Sequence, residues 1–312
     1  MSVLDFLRDT SGPPVAVELA ADHVSAASVE TRGGTPVVTV HATEPLPAGA
    51  LVPSLTSANV VNRSAVMTAL QRVLERTGNP RRVGLVVPDL VAKVSLVRFE
   101  QVPARASDLD QLVRWQVRKT APFPIEEAQV SYEPGLKAAD GQEFIVALAR
   151  RSVIEEYEAL CAEAGAHAGV VDLTTFNIVN AALATMGPAE LHDWLLVNVA
   201  ADYASIAIMR GSNLIFFRNR VTADSEGTLF DVVHQAAMYY EDRLQGAGFA
   251  RAFVTGDAQE LRRSLQERFQ RPIETVDASR AASLTDRITV SPALLDTLAP
   301  LVGLLLRGRT AA

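Results

Sequence analysis

The stretch Val15-Ala16-Val17-Glu18-Leu19-Ala20-Ala21-Asp22-His23-Val24-Ser25-Ala26-Ala27-Ser28-Val29 decides the fold, because its plan returns later in the chain. The second copy, within Leu195 to Arg210, reads Leu196-Val197-Asn198-Val199-Ala200-Ala201-Asp202-Tyr203-Ala204-Ser205-Ile206-Ala207-Ile208. Each copy has an apolar run with one polar residue, an Ala-Ala-Asp turn, and a second run of small and apolar residues. Internal repetition outranks local pattern as an indicator of fold. We therefore predict two β-hairpins in equivalent halves of the molecule, with a cleft between the halves.

Length and composition limit the class of protein. A chain of 312 residues exceeds the usual size of one domain, which favours two lobes with a sizeable core. Hydrophobic residues make up 48% of the chain, and this excludes a disordered protein. The 29 basic and 36 acidic residues give a net charge of −7, which argues against nucleic acid as the main partner. The one cysteine, Cys161, excludes an internal disulfide and indicates a buried thiol in a reducing compartment.

The sequence predicts a cytoplasmic protein. Its most apolar run, Leu294 to Leu306, is short for a membrane span and is interrupted by Asp296 and Pro300. The N-terminus lacks the basic leader, long apolar core and cleavage site of a signal peptide. Residues 1–14 are interpreted as a tail. Four apolar residues there suit either a frayed end or weak docking to a membrane or partner: Val3, Leu4, Phe6 and Leu7.

Strand and helix patterns mix along the chain and predict an α/β fold. Gly187-Pro188 is the best boundary between the lobes, so the first lobe is expected at 15–187 and the second at 188–312. A terminal helix near Leu294 to Arg307 is expected to pack back on the first lobe.

Local signals predict where two further helices begin. Ser64 is expected to cap the first of them, which Gly78 closes. Ser107 with Asp110 resembles a capping box at the start of the second, which must stop near Pro122.

Other chemistries find little support in the sequence. The five histidines fall singly, which makes a dedicated zinc site improbable: His23, His41, His167, His192 and His234. The chain has no Gly-x-Ser-x-Gly elbow, no Walker-type phosphate loop and no dinucleotide fingerprint. A Ser-His-Asp arrangement assembled in three dimensions stays open, with nothing in its favour.

Several motifs have an order and spacing that identify a family. The most specific is the segment Leu112-Val113-Arg114-Trp115-Gln116 followed by Pro122-Phe123-Pro124-Ile125-Glu126-Glu127. The others, besides the two hairpins, are Ala147 to Tyr157, Ala164-Gly165, Val171-Asp172, Arg210-Gly211, Glu267-Arg268-Phe269 and Pro272-Ile273. Over almost its whole length the chain resembles the PilM family, the actin-like cytoplasmic components of type IV pilus inner-membrane assembly.

The resemblance implies an actin-like, ribonuclease H-like repeated fold of two lobes, with an inserted α/β subdomain in the first lobe at about 83–171. In active relatives, the hairpin tips cradle ATP phosphates and an aspartate at each strand end holds Mg²⁺. The corresponding cofactor positions here would be Glu18, Ala20 and Asp22 in the first tip, Asn198, Ala200 and Asp202 in the second, and Gly256 at the adenosine-side turn.

This sequence departs from the pattern of active relatives at nearly every point. Glu18 and Asn198 stand where aspartates hold the metal, and Ala20 and Ala200 stand where glycines approach the phosphates. A Gly-Gly pair expected in the second half is replaced by Val221-Thr222-Ala223-Asp224. A non-glycine residue forced into a glycine-only conformation costs on the order of 1–3 kcal/mol. Two interpretations remain open: a vestigial cleft, or weak binding of ATP and Mg²⁺ with Glu18 as a substitute ligand.

The resemblance also implies a partner. In the family, a short cytoplasmic tail of the membrane protein PilN binds as an extended peptide in a groove between the core of the first lobe and the inserted subdomain. An aromatic anchor beside a basic group suits an apolar-polar tail. Four residues are therefore candidates for the groove: Trp115, Lys119, Phe123 and Ile125. Trp115 and Phe123 are equally compatible with a packing role.

The resulting hypothesis is a cytoplasmic scaffold at the inner membrane. It grips a PilN-like tail, contacts the pilus motor or other assembly components, and binds ATP weakly or not at all. Two alternatives remain: an enzyme of the actin-like ATPase or sugar-kinase type, favoured by the paired hairpins, and a scaffold of the related type II secretion apparatus. No catalytic residue and no metal site are assigned.

Overall fold

A computed structural model describes residues 13–187, 192–222, 228–286 and 288–307. Three predictions fall wholly or partly outside these ranges: the tail 1–14, the boundary Gly187-Pro188 and the region Val221 to Asp224. The strands are β1 (Val15–Leu19), β2 (His23–Arg32), β3 (Thr35–Pro45), β4 (Arg82–Val87), β5 (Ala92–Phe99), β6 (Ala128–Ala138), β7 (Gly141–Arg150), β8 (His167–Leu173), β9 (Asp193–Val199), β10 (Tyr203–Arg210), β11 (Asn213–Val221), β12 (Arg251–Thr255) and β13 (Ser283–Leu284). The helices are α1 (Arg63–Arg76), α2 (Ala106–Arg118), α3 (Arg151–Glu163), α4 (Thr174–Ala184), α5 (Leu229–Arg243), α6 (Gln259–Phe269), α7 (Ala278–Ala281) and α8 (Pro292–Leu306).

Two of the three sheets repeat one topology. The six-stranded sheet has the order β13-β3-β2-β1-β4-β8, and the four-stranded sheet has the order β11-β10-β9-β12. Each sheet contains three consecutive antiparallel strands, and a later strand pairs in parallel with the first of the three. This later strand is β4, beside β1, in the larger sheet and β12, beside β9, in the smaller one. The third sheet, β5-β7-β6, is antiparallel. The repeat predicted as two hairpins is thus a repeat of whole sheets.

The two hairpin turns use equivalent backbone hydrogen bonds. The N–H of Ala20 donates to the carbonyl of His23 at 3.0 Å, and the N–H of Ala200 donates to the carbonyl of Tyr203 at 2.9 Å. Neither alanine has the positive φ that favours glycine. The strain predicted for non-glycine residues in these turns is therefore absent, because both turns adopt a backbone open to any L-residue.

Helices cover both faces of the two repeated sheets. α1 and α3 pack on the outer face of the six-stranded sheet. α5 and α6 pack on the outer face of the four-stranded sheet. α4, α7 and α8 lie between the sheets in a shared apolar core. The layers therefore alternate helix, sheet, helix, sheet, helix.

The third sheet has two differently used faces. Phe144, Val146 and Leu148 of β7 pack with Val113 and Val117 of α2. Because side chains alternate along a strand, the intervening residues of β7 point to the other face.

The inserted subdomain, predicted at about 83–171, overlaps two strands of the six-stranded sheet, β4 and β8. β4 and β8 pair with each other within the six-stranded sheet. The strands of the third sheet lie within residues 92–150, and α2 lies between two of them.

Two predicted helix starts differ from the structure. α1 is capped by Asn62, whose side chain accepts the N–H of Ala65 at 3.1 Å, so Ser64 lies inside the first turn. α2 follows an extended Arg105 without a side-chain cap, which places Ser107 inside the helix. In the described part of the chain, no helix combines the length and apolarity that a membrane span requires.

Candidate functional site

The two hairpin turns face one cleft of about 900 Å³ between the repeated sheets. Its walls include all seven predicted cofactor positions: Glu18, Ala20, Asp22, Asn198, Ala200, Asp202 and Gly256. The fold therefore brings these residues together, and their role toward a nucleotide stays a prediction.

Glu18 is a buried carboxylate that faces an internal cation. It accepts hydrogen bonds from the hydroxyls of Ser25 at 3.4 Å and Thr174 at 3.2 Å. The Nε2 atom of His23 lies 3.6 Å from Glu18 Oε2, and its Nδ1 atom lies 2.7 Å from Asp22 Oδ1. Burial lowers the pKa of His23, but the bond to Asp22 and the charge of Glu18 outweigh it and raise the pKa to about 10. An imidazolium thus stands against the carboxylate that would hold a metal.

Asn198 is engaged at both ends of its amide. Its Nδ2 donates to Thr175 Oγ1 at 2.9 Å, and its Oδ1 accepts from Thr255 Oγ1 at 2.9 Å. The side chain is buried, so these partners replace water. The residue that stands in place of the second metal-binding aspartate is committed to protein contacts.

The remaining backbone features of the cleft also have structural explanations. The amides of Ala20 and Ala200 are used inside their turns. Gly256 has φ +82°, and a Cβ there would overlap the carbonyl oxygen of Val199. Glycine is therefore required at this turn by packing alone.

The charge of the cleft is predominantly acidic. Burial raises the pKa of Asp202, and the nearby charge of Asp22 raises it further. The charged side chains in its walls are Glu18, Asp22, Asp202, Asp257 and Asp296 against His23 and Arg262. Among the described residues, no three His, Cys, Asp or Glu side chains are grouped so as to hold a metal ion. Such walls repel phosphate, so these residues do not fit Mg-ATP in the arrangement of active relatives.

A buried polar network beside the cleft was missed by sequence reasoning. Asp89, between β4 and β5, is fully buried and accepts hydrogen bonds from Ser205 Oγ at 2.6 Å and from the N–H of Thr175 at 3.0 Å. The hydroxyl of Thr175 also donates to Asp89. Burial raises the pKa of Asp89 to about 6, although these hydrogen bonds oppose the shift. The sequence does indicate Asp89 as a candidate, because it follows the carboxyl end of a buried parallel strand, where binding sites of α/β sheets are usually found.

A second cavity, of about 470 Å³, is called the groove here; it lies between the third sheet and α4. The third sheet contributes the face opposite α2, including Gln129, Ser131, Ile145 and Ala147. The far walls are apolar and come from α4 and the four-stranded sheet: Phe176, Val179, Leu183, Met209 and Leu214.

The rim of the groove carries charged side chains. Arg307, just after α8, places Nη1 2.6 Å from Asp172 Oδ2 and Nη2 3.7 Å from Glu133 Oε1. Asp172 belongs to β8 and Glu133 to β6, so the guanidinium connects both sides. Burial raises the pKa of Asp172 despite the charge of Arg307.

The four residues predicted to contact the partner peptide do not line this cavity. Phe123 and Ile125 pack against the core between α2 and the third sheet. Trp115 is 58% exposed on α2, and Lys119 Nζ lies 5.4 Å from the centroid of its ring. α2 covers the opposite face of the sheet, so none of the four lines the groove. Their contact with a partner stays a prediction.

Two repeated sheets with helices between them, and a hairpin from each at one cleft, define the actin-like fold. The profile of the family described as type IV pilus assembly protein PilM matches residues 16–241, and the chain belongs to this family. The predicted family and fold class are confirmed.

The chain is similar to several solved structures. A PilM-PilN type IV pilus biogenesis complex matches with a TM-score of 0.76 at 18% identity, over 96% of this chain and 99% of that chain. A Bacteroides thetaiotaomicron protein with an actin-like ATPase fold has a TM-score of 0.48 at 11% identity, over 94% and 98%. The cytoplasmic domain of EpsL, an inner-membrane component of the Vibrio cholerae type II secretion system, has a TM-score of 0.49 at 11% identity, over 96% and 94%.

Proposed function

We propose that this protein is a scaffold of type IV pilus assembly that binds the N-terminal tail of a PilN-like membrane protein at the cytoplasmic face of the inner membrane. Membership of the PilM family supports the role in pilus assembly. The similar PilM-PilN complex supports the kind of partner. The groove is the observation that carries the proposal, because it is a cavity of about 470 Å³ with apolar walls and a charged rim.

The lining of the groove suits an extended peptide. Within the part of the chain that the structure describes, β6 is an outer strand of the third sheet and pairs on one side only, with β7. An extended tail beside β6 alternates its side chains between two directions. Apolar side chains on one side of the tail would pack against Phe176, Val179 and Leu183 of α4. Gln129 and Ser131 of β6 lie on the same face of the sheet and would contact polar groups on this side of the tail.

In this scaffold the cleft binds Mg-ATP weakly or not at all. The carboxylate of Glu18 is paired with His23, and the amide of Asn198 is bonded to two threonines. A nucleotide would have to displace these partners and enter among five carboxylates. Tail binding is therefore expected to be independent of nucleotide.

Calorimetric titration with a synthetic tail of the PilN-like protein from the same genome tests the proposal, with and without Mg-ATP. Ala147 lies on the groove face of β7, and Ala147→Glu puts a charge into the groove. This variant should lower tail affinity by about tenfold or more, equivalent to about 1.4 kcal/mol. Thermal melting checks that it folds.

The matched control is Trp115→Ala, which changes an exposed side chain of α2, the helix on the opposite face of the same sheet. It should leave tail affinity unchanged. Loss of binding in Trp115→Ala with normal binding in Ala147→Glu would move the site to α2. No binding to the wild-type chain would contradict the scaffold, and tail binding that requires Mg-ATP would contradict nucleotide independence.

A further inference from the structure

We infer that hydrogen bonds from the four-stranded sheet to the segments that follow β4 and β8 of the six-stranded sheet, rather than a bound nucleotide, hold this protein in one interlobe arrangement and thereby shape the groove. The five side chains involved, called the interlobe bridge, are Asp89, Thr175, Asn198, Ser205 and Thr255. The statement about the groove rests on the proposed function, whereas the bridge itself does not.

The bridge connects the four-stranded sheet to Asp89 and Thr175 at two points. Ser205 Oγ donates to Asp89 Oδ2 at 2.6 Å, and Asn198 Nδ2 donates to Thr175 Oγ1 at 2.9 Å. Asn198 and Ser205 are directly paired neighbours on β9 and β10. Their bonding partners, Thr175 and Asp89, are also hydrogen-bonded to each other. Asn219 of β11 adds a third connection, through its Nδ2 to the carbonyl oxygen of Asp89 at 3.0 Å.

The bridge is buried and its hydrogen bonds share atoms. All five side chains are buried. The Thr175 hydroxyl donates to Asp89 while it accepts from Asn198, and Asn198 in turn accepts from Thr255. A satisfied buried network rigidifies its surroundings, and separating its members leaves polar groups without partners. The interlobe arrangement is therefore held as one discrete state.

Of the two hairpins, the second, formed by β9 and β10, contributes side chains to the interlobe bridge. Ser25 occupies in the first hairpin the position of Ser205 in the second, and both hydroxyls are fully buried. Ser25 donates to Glu18, its neighbour within the same sheet, whereas Ser205 donates to Asp89, which follows β4 of the other repeated sheet. The repeat therefore provides a matched pair of serines that differ in whether their bond crosses the interface.

The bridge and the groove share the same elements. Thr175 is in the first turn of α4, and Phe176, Val179 and Leu183 further along this helix line the groove. The opposite wall includes Met209 of β10, the strand that carries Ser205. Because both walls extend from the bridge, loosening it should change the width of the groove.

Distance measurements between spin labels test the inference. Cysteines replacing Glu75 on α1 and Gln266 on α6 report the separation of the two outer helix layers. The native Cys161 is buried, and burial raises its pKa to about 12, so it stays unlabelled. The wild-type protein should give one narrow distance distribution, unchanged by millimolar Mg-ATP. Ser205→Ala with Asn198→Ala should broaden or shift it, while Ser25→Ala should leave it unchanged.

The same variants connect the bridge to the groove. The double variant should lose about tenfold in tail affinity, and Ser25→Ala should lose none. Ser205→Ala alone provides a milder variant if the double variant fails to fold. A wild-type distribution in both bridge variants, or a wild-type distribution that Mg-ATP narrows, would overturn the inference. The distances are measured without tail, so a chain that binds no tail but shows the expected distances would contradict only the proposed function.

Discussion

The imidazole of His23 and the carboxylate of Glu18 face each other within one hairpin, with Nε2 3.6 Å from Oε2. Among the described residues, His23 Nε2 has no hydrogen-bond partner, so the attraction between the two groups is electrostatic. His23 belongs to the same turn that would cradle a phosphate in an active relative. Within the first hairpin, protonated His23 therefore provides the positive charge beside the carboxylate of Glu18.

Replacing His23 should remove a pH-dependent part of the stability. The folded-state pKa of about 10 lies above the ordinary value of 6.5, so the stabilisation is complete below about pH 6.5 and is lost as the pH rises through about 10. We expect His23→Gln to lower the free energy of unfolding by about 1–3 kcal/mol near neutral pH. Urea unfolding of both proteins should show this difference shrinking toward about pH 10. A difference that does not change with pH would contradict an ionised His23.

Asp89 should also lose its contribution to stability as the pH rises, but in a lower range, because burial raises the pKa of this acid from 3.8 to about 6. The folded state then binds the proton more tightly than the unfolded state, so the contribution to stability is full below about pH 4 and is lost as the pH rises through about 6. Between about pH 4 and pH 6, the wild type should therefore lose about 1–3 kcal/mol of unfolding free energy relative to Asp89→Asn. Urea unfolding across the window measures it. A difference that grows with pH would show that Asp89 prefers its charged form.

The features that repeat along the chain could be predicted from the sequence. The two Ala-Ala-Asp hairpins predicted equivalent halves, and the structure has two sheets of one topology. The seven cofactor positions were predicted from their places in these hairpins and one further turn, and they meet in one cleft. Local sequence located the hairpins, whose turns form the cleft walls, and the resemblance to the family assigned the cofactor positions within them.

The features that depend on three-dimensional pairing were not predictable. Asp89 and Ser205 are far apart in the chain, and no local pattern predicts their hydrogen bond. The sequence indicated that Trp115 and Phe123 lie on or after an amphipathic helix, but not which face of the third sheet the helix covers. The face depends on how the sheet docks on α4, which is a tertiary contact.

Cys161 should be inert to thiol reagents in the folded protein. Its side chain is buried, and burial raises the pKa of the thiol to about 12, which removes the reactive thiolate at neutral pH. A coloured disulfide reagent should therefore modify this thiol slowly under native conditions and at once in denaturant. Rapid stoichiometric reaction of the native protein would contradict the burial of α3 against the six-stranded sheet.

Gly303 should be intolerant of even one additional methyl group. It lies on α8 where a Cβ would overlap the backbone carbonyl of Asn177 on α4, so Gly303→Ala must push the two helices apart. Because both helices fill the core between the sheets, we expect a loss of about 1–3 kcal/mol in the free energy of unfolding. Gly169→Ala is the matched control, since its Cβ would come no closer than 3.7 Å to the side chain of Arg82. Equal denaturant midpoints for the two variants would contradict the close packing of α4 and α8, and a lower midpoint for Gly303→Ala alone would support it.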